Sequence, residues 1–510
     1  MLWDVVIVGC GPIGAFAANA LGKSGLSVLV LDRHPSAYAL PRAIHVDHEM
    51  VRLFADIGLA EDVLSQVRAG DGHIHVGADR GVIRFLSIAG APRPYGYAND
   101  YFFYQPELEG ALRAGLKRFE AVETRHGAEV IDLRQDDEKV TLTLADGSEI
   151  LSRWVVGCDG ARSIVRRSLS IRLDDLEFNE PWLVVDAEVD GPISFPDFSG
   201  VPSDANLQNL SLMMCDPQRP ATIVPGRGNH RRWEFMLLPG EDDAQMARPE
   251  VVAELVAPWL KSASHKIIRA ATYRFHGLVV EQWRKGRVFL AGDSAHQTPP
   301  FFGQGMCHGL RDAANLAWKL AGVVKGTLDS SVLNSYQPER EAQVRHVIRA
   351  AIEAGRYICE LNPEKAAERD LRIRAQKDIR SASELIAPIH SPLFPQAPGE
   401  RFINPEVQPG RLLDQVTGGG WLLLSRGPVS LTPGANDILD AFHAKKHILD
   451  TDLIDASGFL AQWLVQRQAI AVLVRPDFYV GILATSDADL SGQLEAFGRQ
   501  FTTLPVPALA

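Results

Sequence analysis

Residues 5 to 14 read VVIVGCGPIG, and no other stretch narrows the possible folds of this chain as much. The apolar, β-branched run from Trp3 to Val8 predicts a buried parallel strand. Gly9, Gly11 and Gly14 then fall where that strand must turn tightly into a helix opened by Pro12 and Ile13. A backbone without side chains can approach a pyrophosphate closely, and the amides of the helix start face its negative charge. The helix is expected to run from Pro12 to about Lys23, with Gly25 ending it and Ser27 to Leu31 forming a second strand. Asp32 closes that strand with Arg33 beside it, about 20 residues past the glycines, where a carboxylate accepts a bond from a ribose hydroxyl. A lone GxGxxG is often an ordinary turn, whereas strand, helix, strand and acid together describe a dinucleotide site. They do not choose between NAD and FAD.

Two further motifs make the choice. CDGARSIVRR at 158 to 167 places Asp159 and Gly160 after a strand-like run, with Arg162, Arg166 and Arg167 following. Taken alone, this is also what a solvated turn with a charged helix face looks like. AGDSAHQTPPFFGQG at 291 to 305 is harder to explain by packing. Gly292 turns the strand Val288 to Ala291, and Asp293 is placed to accept bonds from a sugar-alcohol chain. Pro299 and Pro300 stiffen an extended loop, since proline fixes its own φ and restricts the residue before it. Gly303 and Gly305 precede an amphipathic segment, Leu310 to Val324, so free amides at Gly305, Met306 and Cys307 sit at a helix start. Such amides stabilise the negative charge that a reduced flavin carries near N1 and O2.

These three motifs, in this order, resemble those of the class A flavoprotein aromatic hydroxylases over about residues 3 to 345. LPRAI at 40 to 44, QPELE at 105 to 109, RRWEFMLLPGE at 231 to 241, RDAANLAWKL at 311 to 320, YQPER at 336 to 340 and VRPDFYV at 474 to 480 are most similar to the 3-(3-hydroxyphenyl)propionate hydroxylase group and its polyketide-hydroxylase cousins. The resemblance implies FAD as cofactor, with Arg42 and Gln105 contacting the flavin and its ribityl chain. It implies Asp159 near the pyrophosphate, Asp293 on the ribityl hydroxyls and Pro300 over the isoalloxazine. Cys307 and His308 follow Met306 where many relatives carry an asparagine, which changes the side chains near the ring.

At 510 residues and 46% hydrophobic content the chain can build two or three domains. The expected class is α/β with α+β insertions. A Rossmann-like FAD-binding domain of the para-hydroxybenzoate hydroxylase type spans 1–72, 105–180 and 274–361, because the three motifs are separated by stretches that do not read as βαβ units. A mixed-sheet substrate-binding domain spans 73–104 and 181–273. Short strands and helices after Pro398 make a third domain, 398–510, which the resemblance implies is thioredoxin-like. No cysteine follows Cys359, so dithiol exchange is excluded there, and packing or homodimer formation remains. The five cysteines show no metal spacing, and no metal site is expected. A net charge of −11 argues against nucleic-acid or anionic-membrane partners, and no apolar run reaches the ~18 residues of a membrane span. No targeting segment is visible before the first strand, so a cytoplasmic location is expected.

The implied chemistry is NADH- or NADPH- and O2-dependent hydroxylation of a phenolic substrate, ortho or para to its hydroxyl, through a flavin C4a-hydroperoxide. The resemblance implies that the nicotinamide cofactor binds transiently, which fits the lack of a second dinucleotide fingerprint in the sequence. A 3-hydroxyphenylpropionate-like acid is the expected substrate. An ionised phenol is the better carbon nucleophile, and His45, Asp47 and His48, just after Arg42, are the candidates for the base or acceptor near its hydroxyl. The same residues also read as ordinary capping of a helix start. Phe85, Tyr95, Tyr97, Phe102, Phe103, Met213 and Phe235 are candidate pocket residues, with Arg93 or Arg219 for a carboxylate. A tailoring hydroxylase of a polycyclic aromatic polyketide shares all these motifs. A flavin-dependent halogenase does not fit, since its WxWxIP signature is absent. A non-catalytic flavin-bound regulatory protein would bind FAD tightly without substrate-stimulated NAD(P)H oxidation.

Overall fold

Leu2–Val8 is a strand with its inner residues buried, and the helix Pro12–Lys23 follows it through the glycine turn. In the computed structural model, which describes residues 1–261, 263–376 and 386–503, this strand is central to the first large sheet. Val288–Leu290, Glu149–Gly157, Leu2–Val8, Val28–Asp32 and Val122–His126 lie side by side in that order, all parallel. A hairpin, Val130–Gln135 with Val140–Leu144, continues antiparallel from Glu149–Gly157. The carboxyl ends of four of these strands therefore deliver the Gly9–Gly14 turn, Asp32, the Asp159–Gly160 turn and the Gly292–Asp293 turn to one edge. That edge is where ligands bind in open parallel sheets. Pro12–Lys23 and the long helix Gly305–Val324 pack against each other over the same sheet.

The second sheet is mostly antiparallel and has eight strands. Its two longest members, Leu173–Val189 and His265–Val280, pair with each other along nearly their whole length. Their first and last residues reach back to the first body, where Val279 pairs with His296 beside the Gly292–Asp293 turn. The boundaries expected at 180/181 and 273/274 fall inside these strands, so continuous sheet joins the two bodies there. Gly72–Val76 and Val82–Ser87 extend this sheet at its far edge, and Pro249–Leu260 covers a core of Val185, Trp233 and Phe235. Asp100–Phe103 leaves it to pair with His45–Asp47 and Val67–Ala69 in a small separate sheet.

The C-terminal body orders its strands Lys445–Ile448, Leu422–Ser425, Ala471–Val474 and Val480–Ala484, the first pair parallel and the rest antiparallel. With helices Pro433–Ala441, Phe459–Gln466 and Asp487–Phe501 between and after them, the order is the β-α-β-α-β-β-α of a thioredoxin-like fold. Among the described residues no helix is long and apolar enough to cross a membrane.

Candidate cofactor cleft and ring cavity

Gly9 carries φ +99°, and a Cβ there would lie 2.4 Å from the Cys158 carbonyl oxygen, so the first two turns touch through bare backbone. Gly11, at the N-cap of Pro12–Lys23, is the opposite case: a Cβ there would meet nothing within 4 Å, because it faces an open cleft. Asp32 holds the loop in place, one carboxylate oxygen accepting from the Cys10 amide at 2.9 Å and the other from the His34 amide at 2.8 Å. Gln105 fixes the facing segment by accepting from the amides of Arg42 and Ala43 at 3.0 and 2.6 Å. The Arg42 guanidinium rests 4.3 Å over the Tyr38 ring.

The cleft encloses about 430 Å³, and Gly9, Gly11, Pro12, Ile13, Asp32, Arg33, Arg42, Gln105, Asp159, Gly160, Asp293 and Met306 line it. Asp159 accepts from the amides of Ile164 and Val165 through one oxygen, while the other is buried with no protein partner. Burial pushes its carboxyl above the usual range. Asp293 projects into the open cleft, accessible to solvent but closely surrounded by protein, and desolvation raises its carboxyl against the opposing pull of His296 and Arg42. The cleft thus offers a glycine-lined helix start, an acid at the end of the second strand, an orphaned buried acceptor and a free carboxylate. That set matches the pyrophosphate, ribose and ribityl hydroxyls of FAD.

Gly14, Gly292 and Cys307 do not line the cleft. Gly14 lets the helix close on the Gly9 carbonyl, and Gly292 lies against Ile13 and Gly309. Cys307 is fully buried, its Sγ directed at the Gly303 carbonyl, which leaves its backbone amide as what it can offer a ligand.

A second cavity, about 360 Å³, opens from the first, with Arg42, Ala43, Asp293 and Met306 shared between them. Its walls come from the second sheet (Val184, Met213, Thr222, Tyr273, Phe275) and from the loop Pro300, Phe301, Phe302, Gly303, Gly305. Of the aromatic and apolar candidates, Phe102 and Met213 reach it. Phe85, Tyr95, Tyr97, Phe103 and Phe235 do not, Phe103 and Phe235 being core residues. Phe301 and Phe302 follow the double proline directly, a local signal for ring-facing aromatics; Tyr273 and Phe275 carried none, since only strand pairing brings them in.

His45 also lines this cavity, its Nε2 2.9 Å from Asp100 Oδ1. Burial alone would lower the imidazolium's pKa, but the Asp100 carboxylate outweighs it and holds the group well above 6.5. The Asp100 carboxylate thus favours the protonated form of His45, whose Nδ1 lies 3.4 Å from the Gly303 carbonyl oxygen, so both ring nitrogens have protein partners. Asp47 and His48 are placed elsewhere. Asp47 caps the helix His48–Asp56 through the amides of Glu49 and Met50 and pairs with Arg311 at 2.7 Å, which with Gln304 holds it ionised despite its burial. His48 packs edge-on to Tyr95 at 4.6 Å, and burial lowers its pKa. Neither lines the cavity. Pro300 does.

Arg93 and Arg219 are also away from the cavity, and Arg219 is held by Glu241. Among the cavity's own arginines, Arg232 is neutralised by both oxygens of Asp186 and donates to the Arg42 carbonyl. Arg269 is 7% exposed, donates to the Pro41 carbonyl and lies 4.6 Å over the Tyr273 ring, and its Nη2 has no protein partner. His73, which burial lowers to about 4, is neutral.

The family model for the FAD binding domain matches residues 3–351. The chain is 35% identical to a probable NADH-specific resorcinol 4-hydroxylase of Rhodococcus jostii (strain RHA1), over 96% of this chain and 93% of that one. It is 32% identical to a 3-(3-hydroxy-phenyl)propionate/3-hydroxycinnamic acid hydroxylase of Burkholderia cenocepacia (strain HI2424), over 97% and 96% of the two chains. Among solved structures, aklavinone-11 hydroxylase in complex with FAD and aklavinone superposes with a TM-score of 0.76 at 24% identity, covering 97% of this chain and 98% of that one, which shows a shared fold.

Proposed function

The chain belongs to the FAD-binding-domain family and is an FAD-dependent aromatic hydroxylase; from its two joined cavities we propose that its substrate is a single-ring phenol carrying a meta substituent, hydroxylated ortho or para to the phenol with NADH as reductant. The observation that carries this reading is the neck at Arg42, Ala43, Asp293 and Met306, which joins the FAD cleft to an aromatic-walled chamber. Resorcinol and 3-hydroxyphenylpropionate share a meta-substituted phenol, so both named relatives support that class. A volume near 360 Å³ lies at the small end of ligand sites, roughly 300–1,000 Å³, and favours one ring with a short side group over a polycyclic polyketide. The open Arg269 Nη2 favours an acid on that side group, as in a 3-hydroxyphenylpropionate-like substrate.

When bound, FAD would supply the redox chemistry, in which NADH gives the electrons, one oxygen atom of O2 enters the ring and the other leaves as water. Gly9, Gly11 and the start of Pro12–Lys23 hold the pyrophosphate in this reading, Asp32 the ribose, Asp293 the ribityl hydroxyls, and Pro300 with Gly303–Met306 borders the flavin ring. The amides of Gly305 and Met306, which no helix carbonyl can satisfy, face charge that develops there. The His45 imidazolium, its two nitrogens held by Asp100 and the Gly303 carbonyl, stabilises the phenolate by its charge. Phe275, Phe301 and Phe302 keep the chamber dry, which protects oxygen transfer from water.

The test is aerobic NADH consumption by the FAD-loaded enzyme with 3-(3-hydroxyphenyl)propionate, resorcinol or a naphthol, with product and hydrogen peroxide quantified together. Stimulated consumption matched by a catechol or triol from a single-ring phenol is expected. Product from the naphthol alone would overturn the substrate class, and no product from any phenol would overturn the hydroxylase reading.

A further inference from the structure

The C-terminal body has no cysteine and lines neither cavity, yet it is tied by buried charges to the helix that borders the flavin site. Arg311, in Gly305–Val324, uses three nitrogens at once: Nε to Glu49 at 2.6 Å, Nη1 to Gln304 at 3.0 Å and Nη2 to Asp47 at 2.7 Å. Gln304 is the N-cap of that helix and donates its own amide to Asp47 at 3.1 Å. This cluster fixes the helix start that carries Gly305 and Met306.

Two carboxylates, Asp47 and Glu49, face one cation inside the first body. The second cation comes from the C-terminal side, where Arg401 ion-pairs with the other oxygen of Glu49 at 2.5 Å. Arg401 belongs to the segment that pairs with Tyr479, next to Phe402, whose amide bonds the Phe478 carbonyl. The same helix is gripped again further along. Arg475 pairs with Glu339 and Asp477, and Asp477 accepts from Asn315 and from the Trp318 indole. Trp318 packs edge-on against Trp421 at 5.3 Å.

We infer that the C-terminal body is a positioning element for the flavin site, with Arg401 the positioning residue that balances Glu49 and so leaves Arg311 free to hold Asp47 and Gln304. With Arg401 removed, Glu49 becomes a buried carboxylate in excess and competes for Arg311. The N-cap then loosens, and the amides at Gly305 and Met306 lose their aim. Removing Glu49 charge as well restores the balance.

The inference rests on the cleft being the FAD site, so the first readout is FAD affinity, measured by fluorescence quenching on apoprotein of parent, Arg401→Met, Arg401→Lys, Glu49→Gln and Arg401→Met/Glu49→Gln. Folding is checked by circular dichroism, and peroxide released per NADH consumed is measured on the loaded enzymes. Arg401→Met should weaken FAD binding roughly tenfold, the scale of leaving one buried charge without its partner, and raise the peroxide fraction. Arg401→Lys should recover most of both effects, and the double variant should bind better than Arg401→Met alone. Equal FAD affinity and peroxide fraction in parent and a folded Arg401→Met, or a double variant worse than the product of the singles, would overturn the inference while leaving the site reading intact.

Discussion

Alanine at Gly14 and alanine at Gly11 should fail in opposite ways, although the two glycines belong to one motif. A Cβ on Gly14 would lie 1.9 Å from the Gly9 carbonyl oxygen and 3.2 Å from an Ile7 methyl. Contacts under 3.0 Å are essentially never made, so strand Leu2–Val8 and helix Pro12–Lys23 must part by about 1 Å, and the obstacle is backbone that no rotamer change removes. Overpacking of that kind costs about 1–3 kcal/mol, against a gain of roughly 0.5–1 kcal/mol from replacing a helical glycine. Gly14→Ala apoprotein should therefore be destabilised by about 1–2 kcal/mol, a fall of several degrees in Tm, with FAD binding weakened because the Gly9–Gly11 loop shifts. Gly11→Ala meets no atom within 4 Å and has ordinary φ of −73°, so its apoprotein should lose under about 1 kcal/mol. The new methyl projects instead into the cleft, where we propose that the phosphates bind. Losing one or two charged hydrogen bonds there costs about 3 kcal/mol, or roughly a hundredfold in Kd. Differential scanning fluorimetry of the apoproteins and FAD titration of both variants decide the matter. A Gly11→Ala protein that binds FAD like the parent, or a Gly14→Ala apoprotein that melts with the parent, would refute the reasoning.

Other perturbations test the ring cavity and the cofactor separately. In Asp100→Asn the carboxylate that outweighs burial at His45 is gone, so His45 should be neutral at pH 7.5 and turnover should fall about tenfold or more, with a new dependence on acid pH in the rate profile. Because the folded His45 value lies above 6.5, the pair's contribution to stability is complete below that pH and is lost as pH rises through the raised value; urea unfolding should show Asp100→Asn costing more at pH 6 than at pH 9. Arg269→Ala should raise KM for 3-(3-hydroxyphenyl)propionate roughly tenfold or more while changing KM for resorcinol little, and equal effects on both would remove Arg269 from carboxylate recognition. FAD at a hundred times its Kd should stabilise the apoprotein by about 2.7 kcal/mol, read as a concentration-dependent Tm.

What was legible in the sequence is what local chain geometry enforces. Gly9, Asp32, Asp159, Gly292 and Asp293 each stand at the end of an apolar strand, so their positions follow from short-range pattern, and parallel pairing of those strands brings them to one edge. Asp47 shows the limit. Its place two residues after a histidine and before a helix is common to a catalytic acid and to an N-cap, and the choice is made by Arg311 and Gln304, more than 250 residues away. Asp100, which decides the charge of His45, and Arg269, which decides what the cavity offers an anion, sit in strands with no local mark of function. Domain limits are hidden from sequence for a related reason: Leu173–Val189 and His265–Val280 are long enough to serve two bodies, and apolar periodicity does not change where one body ends.

A cationic His45 also changes what the cavity must do to its substrate. A simple phenol ionises near pH 10, so making half of it phenolate at pH 7.5 needs a shift of about 2.5 units, worth about 3.4 kcal/mol at ~1.36 kcal/mol per unit. In our proposal the His45 imidazolium, held through Nε2 by Asp100, offsets part of that requirement by its charge. Exclusion of water, which would otherwise screen that charge, strengthens its effect. Neutral His73, at about 4, cannot add to this field and offers no second cation above that pH. In this proposal the charge of one imidazole, favoured by a carboxylate on a neighbouring strand, takes the part that the sequence suggested for a base.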